Sequence, residues 1–286
     1  MKGILYVVAT PIGNLNDITI RALDVLKSVD LIACEDTRQT LKLLNHYDIK
    51  KKLTAYHKFN EIKKSESLIN DLKKGLNIAV VTDAGTPCIS DPGYILIREA
   101  RLNGIDVIGI PGASACVTSL SISGIDTSNF VFVGFLPTDN KGSNVEIEKI
   151  KCSNFKTYVI YESPKRLVKL VEKLKNRFEN ANVYIASDLT KIHERGFFGS
   201  IDEVYNEIKN DSNIEKGEYV IVLEKGSEHI EENDVLETSV ESKLVDVMIN
   251  EKCTLKDAIN ILSKDEKLKK NDIYNASLKL KEIFKR

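Results

Sequence analysis

Ala79-Val80-Val81-Thr82-Asp83-Ala84-Gly85-Thr86-Pro87-Cys88-Ile89-Ser90-Asp91-Pro92-Gly93 is the stretch on which the fold turns. The apolar run over 78–82 reads as a strand buried on both faces, as strands of parallel sheets are. It empties into a loop of small residues that carries Asp83 and Asp91. Asp91-Pro92 reads as an N-cap followed by proline at the first helical position. Strand-to-helix connections usually run about 2–6 residues, so this loop exceeds what a connection requires. Ligands of open α/β sheets bind at the carboxyl ends of the strands, and the stretch is read as a ligand loop. An ordinary turn, with Asp83 capping its own backbone, is the alternative.

Two more strands end in the same way. Residues 4–9 form an apolar run that leads into Thr10-Pro11-Ile12-Gly13-Asn14-Leu15, after which Asp17 is placed to cap a helix. The strand over 105–110 ends in Pro111-Gly112-Ala113-Ser114-Ala115. Further strands are expected at 31–34, ending in Glu35-Asp36-Thr37-Arg38, and at 53–57. Helical spacing marks 40–47, 61–74, 92–103 and 115–123. Strands alternating with helices predict an α/β fold with a parallel or mixed sheet.

Residues 124–129 read as a hinge, because a second cycle begins there. Strands are expected at 130–135, 157–161, 183–186 and 218–223, with Ser163-Pro164 opening a helix and Phe197-Phe198-Gly199-Ser200 leading into another. Residues 225–239 are polar, acidic and aperiodic, as a linker is. Three helical segments follow at 240–250, 255–263 and 272–284, with Thr254 and Asp257 spaced as a capping box. The expected organisation is an N-terminal α/β domain (1–124), a second α/β domain (125–226), a linker (227–239) and a tail (240–286). The tail is either helix-turn-helix-like or a plain helical cap.

Composition narrows the function. Among 286 residues, 41 basic side chains face 42 acidic ones, so contact with a polyanion requires a local basic patch rather than a global charge. Five scattered cysteines without a C-x-x-C pair, and four dispersed histidines, predict reduced thiols and no metal site. A strand starting near residue 4 leaves no room for a signal peptide, and no apolar run reaches the ~20 residues of a membrane span. A cytoplasmic protein is expected.

Six segments, in order and in register, resemble the bacterial 16S ribosomal RNA cytidine 2′-O-ribose methyltransferases of the tetrapyrrole-methylase superfamily. They are Ala9 to Leu15, Glu35 to Arg38, Thr82 to Gly93, Gly134-Phe135-Leu136-Pro137, Tyr161-Glu162-Ser163-Pro164-Lys165-Arg166 and Lys216-Gly217-Glu218. Two departures stand out. Ser187-Asp188-Leu189-Thr190-Lys191 replaces the usual Arg-Glu-Leu-Thr-Lys, and Phe59 replaces the second histidine of a His-x-His-Asn-Glu stretch that begins here at His57.

The resemblance implies two α/β domains of the tetrapyrrole-methylase type with a small C-terminal helical domain, a homodimer, and S-adenosylmethionine as methyl donor. It places the donor on Ile12 and Gly13, on Asp83, Ala84, Gly85 and Thr86, on Pro111, Gly112, Ser114 and Ala115, and on Tyr161 and Glu162, with Gly217 or Glu218 beside them. The substrate it implies is ribosomal RNA of the small subunit. A ribose hydroxyl is a poor nucleophile until its proton leaves, and a carboxylate within reach would serve as general base. Glu35 and Asp36 stand at a strand end and are candidates, although Arg38 would weaken whichever it pairs with. His57 is a looser candidate. Lys165 and Arg166 at a helix start, with Arg38, Lys141 and Lys191, form a candidate track for RNA phosphate. The alternatives are methylation of a tetrapyrrole or other small molecule by the same fold, and a non-catalytic ribosome-binding factor.

Overall fold

In the computed structural model, residues 1–226, 239–263 and 270–283 are described, and the chain divides into two units, Met1–Glu228 and His229–Arg286. In the first half of the larger unit the strands are β1 (Leu5–Val8), β2 (Leu31–Cys34), β3 (Leu53–Ala55), β4 (Ile78–Val81) and β5 (Val107–Ile110). The helices between and after them are α1 (Ile20–Ser28), α2 (Thr37–His46), α3 (Glu61–Lys73), α4 (Tyr94–Leu102) and α5 (Ala115–Ile122). All pairings are parallel, in the order β3-β2-β4-β1-β5. Every residue of β2 and β4 is buried, since helices cover both faces. Leu5, Ala33, Ile78 and Val80 pack toward Leu68 and Leu72 of α3 and Leu96 of α4. Val8, Ile32, Ala79 and Val81 pack toward Leu26 of α1 and Leu44 of α2. Each Val, Leu or Ile among them contributes about 1.5–3 kcal/mol on leaving water.

β1 and β4 are neighbours whose following helices, α1 and α4, lie on opposite faces. That divergence is a topological switch point, where the two loops part and leave a crevice. The expected helix start at Pro92 is corrected: α4 begins at Tyr94, with Gly93 as N-cap at φ 138° and no side-chain cap. A Cβ on Gly93 would collide with the Cys88 sulfur. Asp91 is therefore not a helix cap. Nor is Asp17, which sits in a short 3₁₀ turn, while the Thr19 hydroxyl caps α1 by accepting from the Ala22 amide.

The second half holds β6 (Phe130–Phe135), β7 (Thr157–Glu162), β8 (Asn182–Ser187), β9 (Arg195–Ser200) and β10 (Tyr219–Glu224), with α6 (Asn140–Cys152), α7 (Pro164–Lys175) and α8 (Ile201–Lys209). The order is β6-β7-β10-β8-β9. β6 and β7 run parallel, and the remaining pairings are antiparallel. β9 was not expected. Its two glycines dilute the β pattern, yet Gly196 is what the sheet requires, because a Cβ there would collide with the Tyr184 ring on the neighbouring strand. One face of this sheet is covered by α6, α7 and α8, and α5 of the first half packs Cys116 and Leu120 on Val159, Ala186 and Val222 of the other.

The smaller unit contains α9 (Val240–Asn250), α10 (Leu255–Leu262) and α11 (Lys270–Ile283), closed around Leu244, Ala258, Ile273, Ala276 and Leu280. Both hydrogen bonds of the expected capping box join Thr254 and Asp257. Ser239 caps α9. The rest of the expected linker, 227–238, and the lysines at 264, 267, 269 and 285 lie outside the described residues.

Candidate active site

The carboxyl ends of β1, β4 and β5 open onto a cavity of about 420 Å³ that the second half completes. From the first half come Ile12, the segment Thr82 to Thr86, Ile89, Ser90, Asp91, Ser114 and Ala115. The second half adds Phe135, Tyr161 to Pro164, Leu189 and Gly217 to Val220. Ligand pockets typically occupy about 300–1,000 Å³.

Local chemistry explains why these segments stand where they do. Thr10 and Gly85 exchange backbone hydrogen bonds of 2.9 and 3.0 Å, tying the β1 and β4 loops together. Gly85 holds φ at +84°, and a Cβ there would press on Ile12 at 3.3 Å. The Thr86 hydroxyl donates to the Ala113 carbonyl at 3.1 Å, which brings in the β5 loop. Cys88 and Ser90 take left-handed backbone conformations at φ 71° and 69°, and strain of this kind clusters at functional sites. Across the cavity, a bulge after Phe132 puts Gly134 at φ +70°. Phe135 then meets the Tyr161 ring edge-on at 5.6 Å. Burial pushes the Tyr161 hydroxyl up to about 12, so it stays protonated.

Four carboxylates line the cavity; two are held in ion pairs and a third accepts from a backbone amide. Glu162, 4% exposed, accepts from the Ser163 amide at 2.7 Å and from Arg166 Nε at 2.7 Å. Glu218 at the rim pairs with Lys191 at 2.8 Å. Asp83 accepts from the Asp36 amide at 3.1 Å. Burial raises the Asp83 carboxyl above its ordinary value, the Asp36 amide opposing. Asp91 has no ion pair among the described residues. Burial pushes it up to about 6, the Thr82 hydroxyl opposing and the Glu35 and Asp83 charges adding to the rise. The four do not converge as a metal site: among the described residues no group of three His, Cys, Asp or Glu side chains is arranged to hold an ion.

The catalytic candidates separate clearly. Asp36 caps α2 by accepting from the Arg38 amide at 2.8 Å, and its two oxygens take Arg38 Nε and Nη2 at 3.1 and 2.7 Å. The guanidinium holds its carboxyl down at about 2, which makes it a poor proton acceptor. Glu35 does not line the cavity. It accepts from the Thr82 hydroxyl at 3.2 Å, one side chain behind the wall. His57 also lies off the cavity; its Nδ1 is buried without a partner, and its amide donates to Asn60.

Several further expectations are corrected. Gly13 packs against the 189–191 turn, where a Cβ would crowd Lys191 and Thr190, and it borders a separate groove with His46 and His193. Pro111 and Gly112 are exposed and do not line the cavity, and a Cβ on Gly112 would crowd Ala9. Arg166 and Lys191 are not free cations for RNA. Arg166 serves Glu162 and donates to the Leu136 carbonyl at 3.2 Å, and Lys191 bridges Asp188 and Glu218 at 2.7 and 2.8 Å. Arg38, with its side chain 86% exposed, and Lys165 face solvent. At the departure from the usual motif, Ser187 is buried, and Asp188 fits against Gly217, where any Cβ would overlap its carboxylate.

Residues 4–205 match the family model described as "Tetrapyrrole (Corrin/Porphyrin) Methylases". A protein of Halalkalibacterium halodurans described as ribosomal RNA small subunit methyltransferase I is 43% identical over 96% of this chain and 94% of its own length. Its namesake in Haemophilus influenzae is 41% identical over 97% of each chain. Among solved structures, uroporphyrin-III C-methyltransferase from Thermus thermophilus complexed with S-adenyl homocysteine superposes with a TM-score of 0.54 at 16% identity. The match covers 78% of this chain and 97% of that one.

Proposed function

The chain belongs to the tetrapyrrole (corrin/porphyrin) methylase family, and from that membership we propose that it transfers the methyl group of S-adenosylmethionine to a cytidine ribose 2′-hydroxyl in small-subunit ribosomal RNA. The observation that carries this reading is the cavity, lined from both halves by residues of five of the six segments the resemblance singled out. Near-full-length relatives described as ribosomal RNA small subunit methyltransferase I support the substrate.

The residues fit the donor. Ile12, Ala115, Leu189 and Val220 offer apolar walls to a purine, and Asp83 offers negative charge to a cation. When bound, S-adenosylmethionine supplies a methyl group activated by a sulfonium. The chain's contribution is to fix both partners and exclude water. Gly85 allows close backbone approach, and Arg166 holds Glu162 in one orientation. Exposed Lys165, beside the cavity residue Pro164, and Arg38, exposed although paired with Asp36, are this reading's candidate contacts for phosphate.

No helix among the described residues is long and apolar enough to cross a membrane, and the reading includes a cytoplasmic location beside the ribosome. It also includes a homodimer, as the resemblance implies. Mass mapping of small-subunit RNA from a deletion strain, with and without the restored gene, tests the function. One ribose methylation on a cytidine should vanish and return. An unchanged RNA with a changed small-molecule methylation would favour the tetrapyrrole-type substrate.

A further inference from the structure

We propose that Asp91 is the catalytic proton acceptor, taking the proton from the ribose hydroxyl as the methyl group arrives. The inference rests on the reading above, that the cavity holds the methyl donor and a ribose. Its first support is elimination among the groups that line the cavity. Glu162 is saturated by Arg166 and Ser163, Glu218 is tied to Lys191, and Asp83 accepts from a backbone amide. Among the described residues Asp91 meets the Thr82 hydroxyl, whose proton is also shared with Glu35, so its oxygens keep acceptor capacity toward the cavity.

The second support is position. Asp91 lies on the strained loop that runs through Cys88 and Ser90, beyond the helix-cap position its sequence suggested, because Gly93 takes that place. The groups facing it are Glu35 from the end of β2, Asp83 and Cys88 from its own loop, and Tyr161 from β7. None is a cation. Among the described residues no ion pair stabilises the charged form, so the carboxylate keeps its basicity, and a base works best when its pKa is near the working pH.

The step balances. The ribose oxygen forms a bond to the methyl carbon as the carbon–sulfur bond breaks, with that electron pair passing to sulfur. The hydroxyl proton passes to an Asp91 carboxylate oxygen and leaves to solvent after the product departs.

The test uses the full chain, S-adenosylmethionine and purified small ribosomal subunits, with D91N and D91E. D91N should bind S-adenosylmethionine as tightly as the native chain in calorimetry, yet lose about 100-fold or more in the single-turnover rate. The native rate should climb with pH through about 6, the value to which Asp91 is pushed, and level off above it. That limb should be absent in D91N and present in D91E. Carbon NMR of aspartate-labelled native protein, which needs no catalysis, should show one carboxyl titrating near that value and missing from D91N. A full rate in D91N, a rate loss explained by lost donor affinity, a pH limb that survives in D91N, or an Asp91 resonance with an ordinary carboxylate titration would each overturn the proposal. A native chain that neither binds the donor nor methylates RNA would overturn the function with it; an active native chain beside an indifferent D91N overturns only Asp91.

Discussion

At the scale of the residue, the Asp91 carboxylate sets protonation against stability. Burial, with Glu35 and Asp83 nearby, moves its carboxyl from 3.8 to about 6, so between those values the native chain holds a proton that the unfolded chain has released. Stability therefore falls as pH rises through that window, and above about 6 the full cost is present. Asn at position 91, always neutral, should match Asp near pH 3 and gain at pH 7. The gain should be about 1–2 kcal/mol after discounting for the group's partial exposure. Thermal midpoints of D91N and the native chain at both pH values check this; an equal difference at both would mean an ordinary carboxyl. The sequence did not reveal this role, because Asp-Pro carries a strong local capping signal, whereas the fate of the carboxylate is set by β2 and β7, distant in the chain. The Arg166–Glu162 pair was more legible. The two are four residues apart across a helix start, a spacing that brings side chains together, and reading Arg166 as an RNA contact overlooked it.

At the scale of the element, the bulge in β6 is the most informative irregularity. Gly134 at φ +70° turns the strand, and a Cβ there would lie 2.8 Å from the Ser90 hydroxyl oxygen. Phe135 and Ser90 both line the cavity, so the bulge couples sheet geometry to the site. Gly134→Ala should cost about 1–3 kcal/mol from the left-handed backbone and the crowded hydroxyl, and it should weaken S-adenosylmethionine binding by shifting Phe135. Denaturant unfolding and calorimetry measure the two effects; a destabilised variant with native affinity would detach the bulge from the site. Strand existence was legible wherever helices cover both faces, since β2 and β4 then read as unbroken apolar runs. β9 was not, because Gly196 is dictated by the Tyr184 ring opposite, a partner that no local pattern announces.

At the scale of the molecule, the α/β body and the helical tail are separate compact units, and separate chemistry is expected of them. The body's loops were legible because three strands deliver small residues at their carboxyl ends, the requirement of a switch-point crevice. The tail's three helices were legible from periodicity and the Thr254–Asp257 box, but their task was not, since lysine content alone does not separate a phosphate-binding side chain from a solvated face. Lys279 is already paired with Glu241 at 2.9 Å, while Lys270 and Lys281 stand exposed. The cavity is built within the α/β body, from residues of its two halves. Truncation after residue 226 should therefore leave S-adenosylmethionine affinity intact, weaken RNA binding and flatten its salt dependence. The log–log slope should drop by about 0.7–0.9 for each phosphate the shortened chain no longer neutralises. Donor titration and RNA binding across a salt series read these separately. Full RNA affinity with an unchanged slope would make the tail a structural appendage. Loss of donor binding as well would show that the body depends on the tail for its own stability, and the separation of chemistry between them would fail.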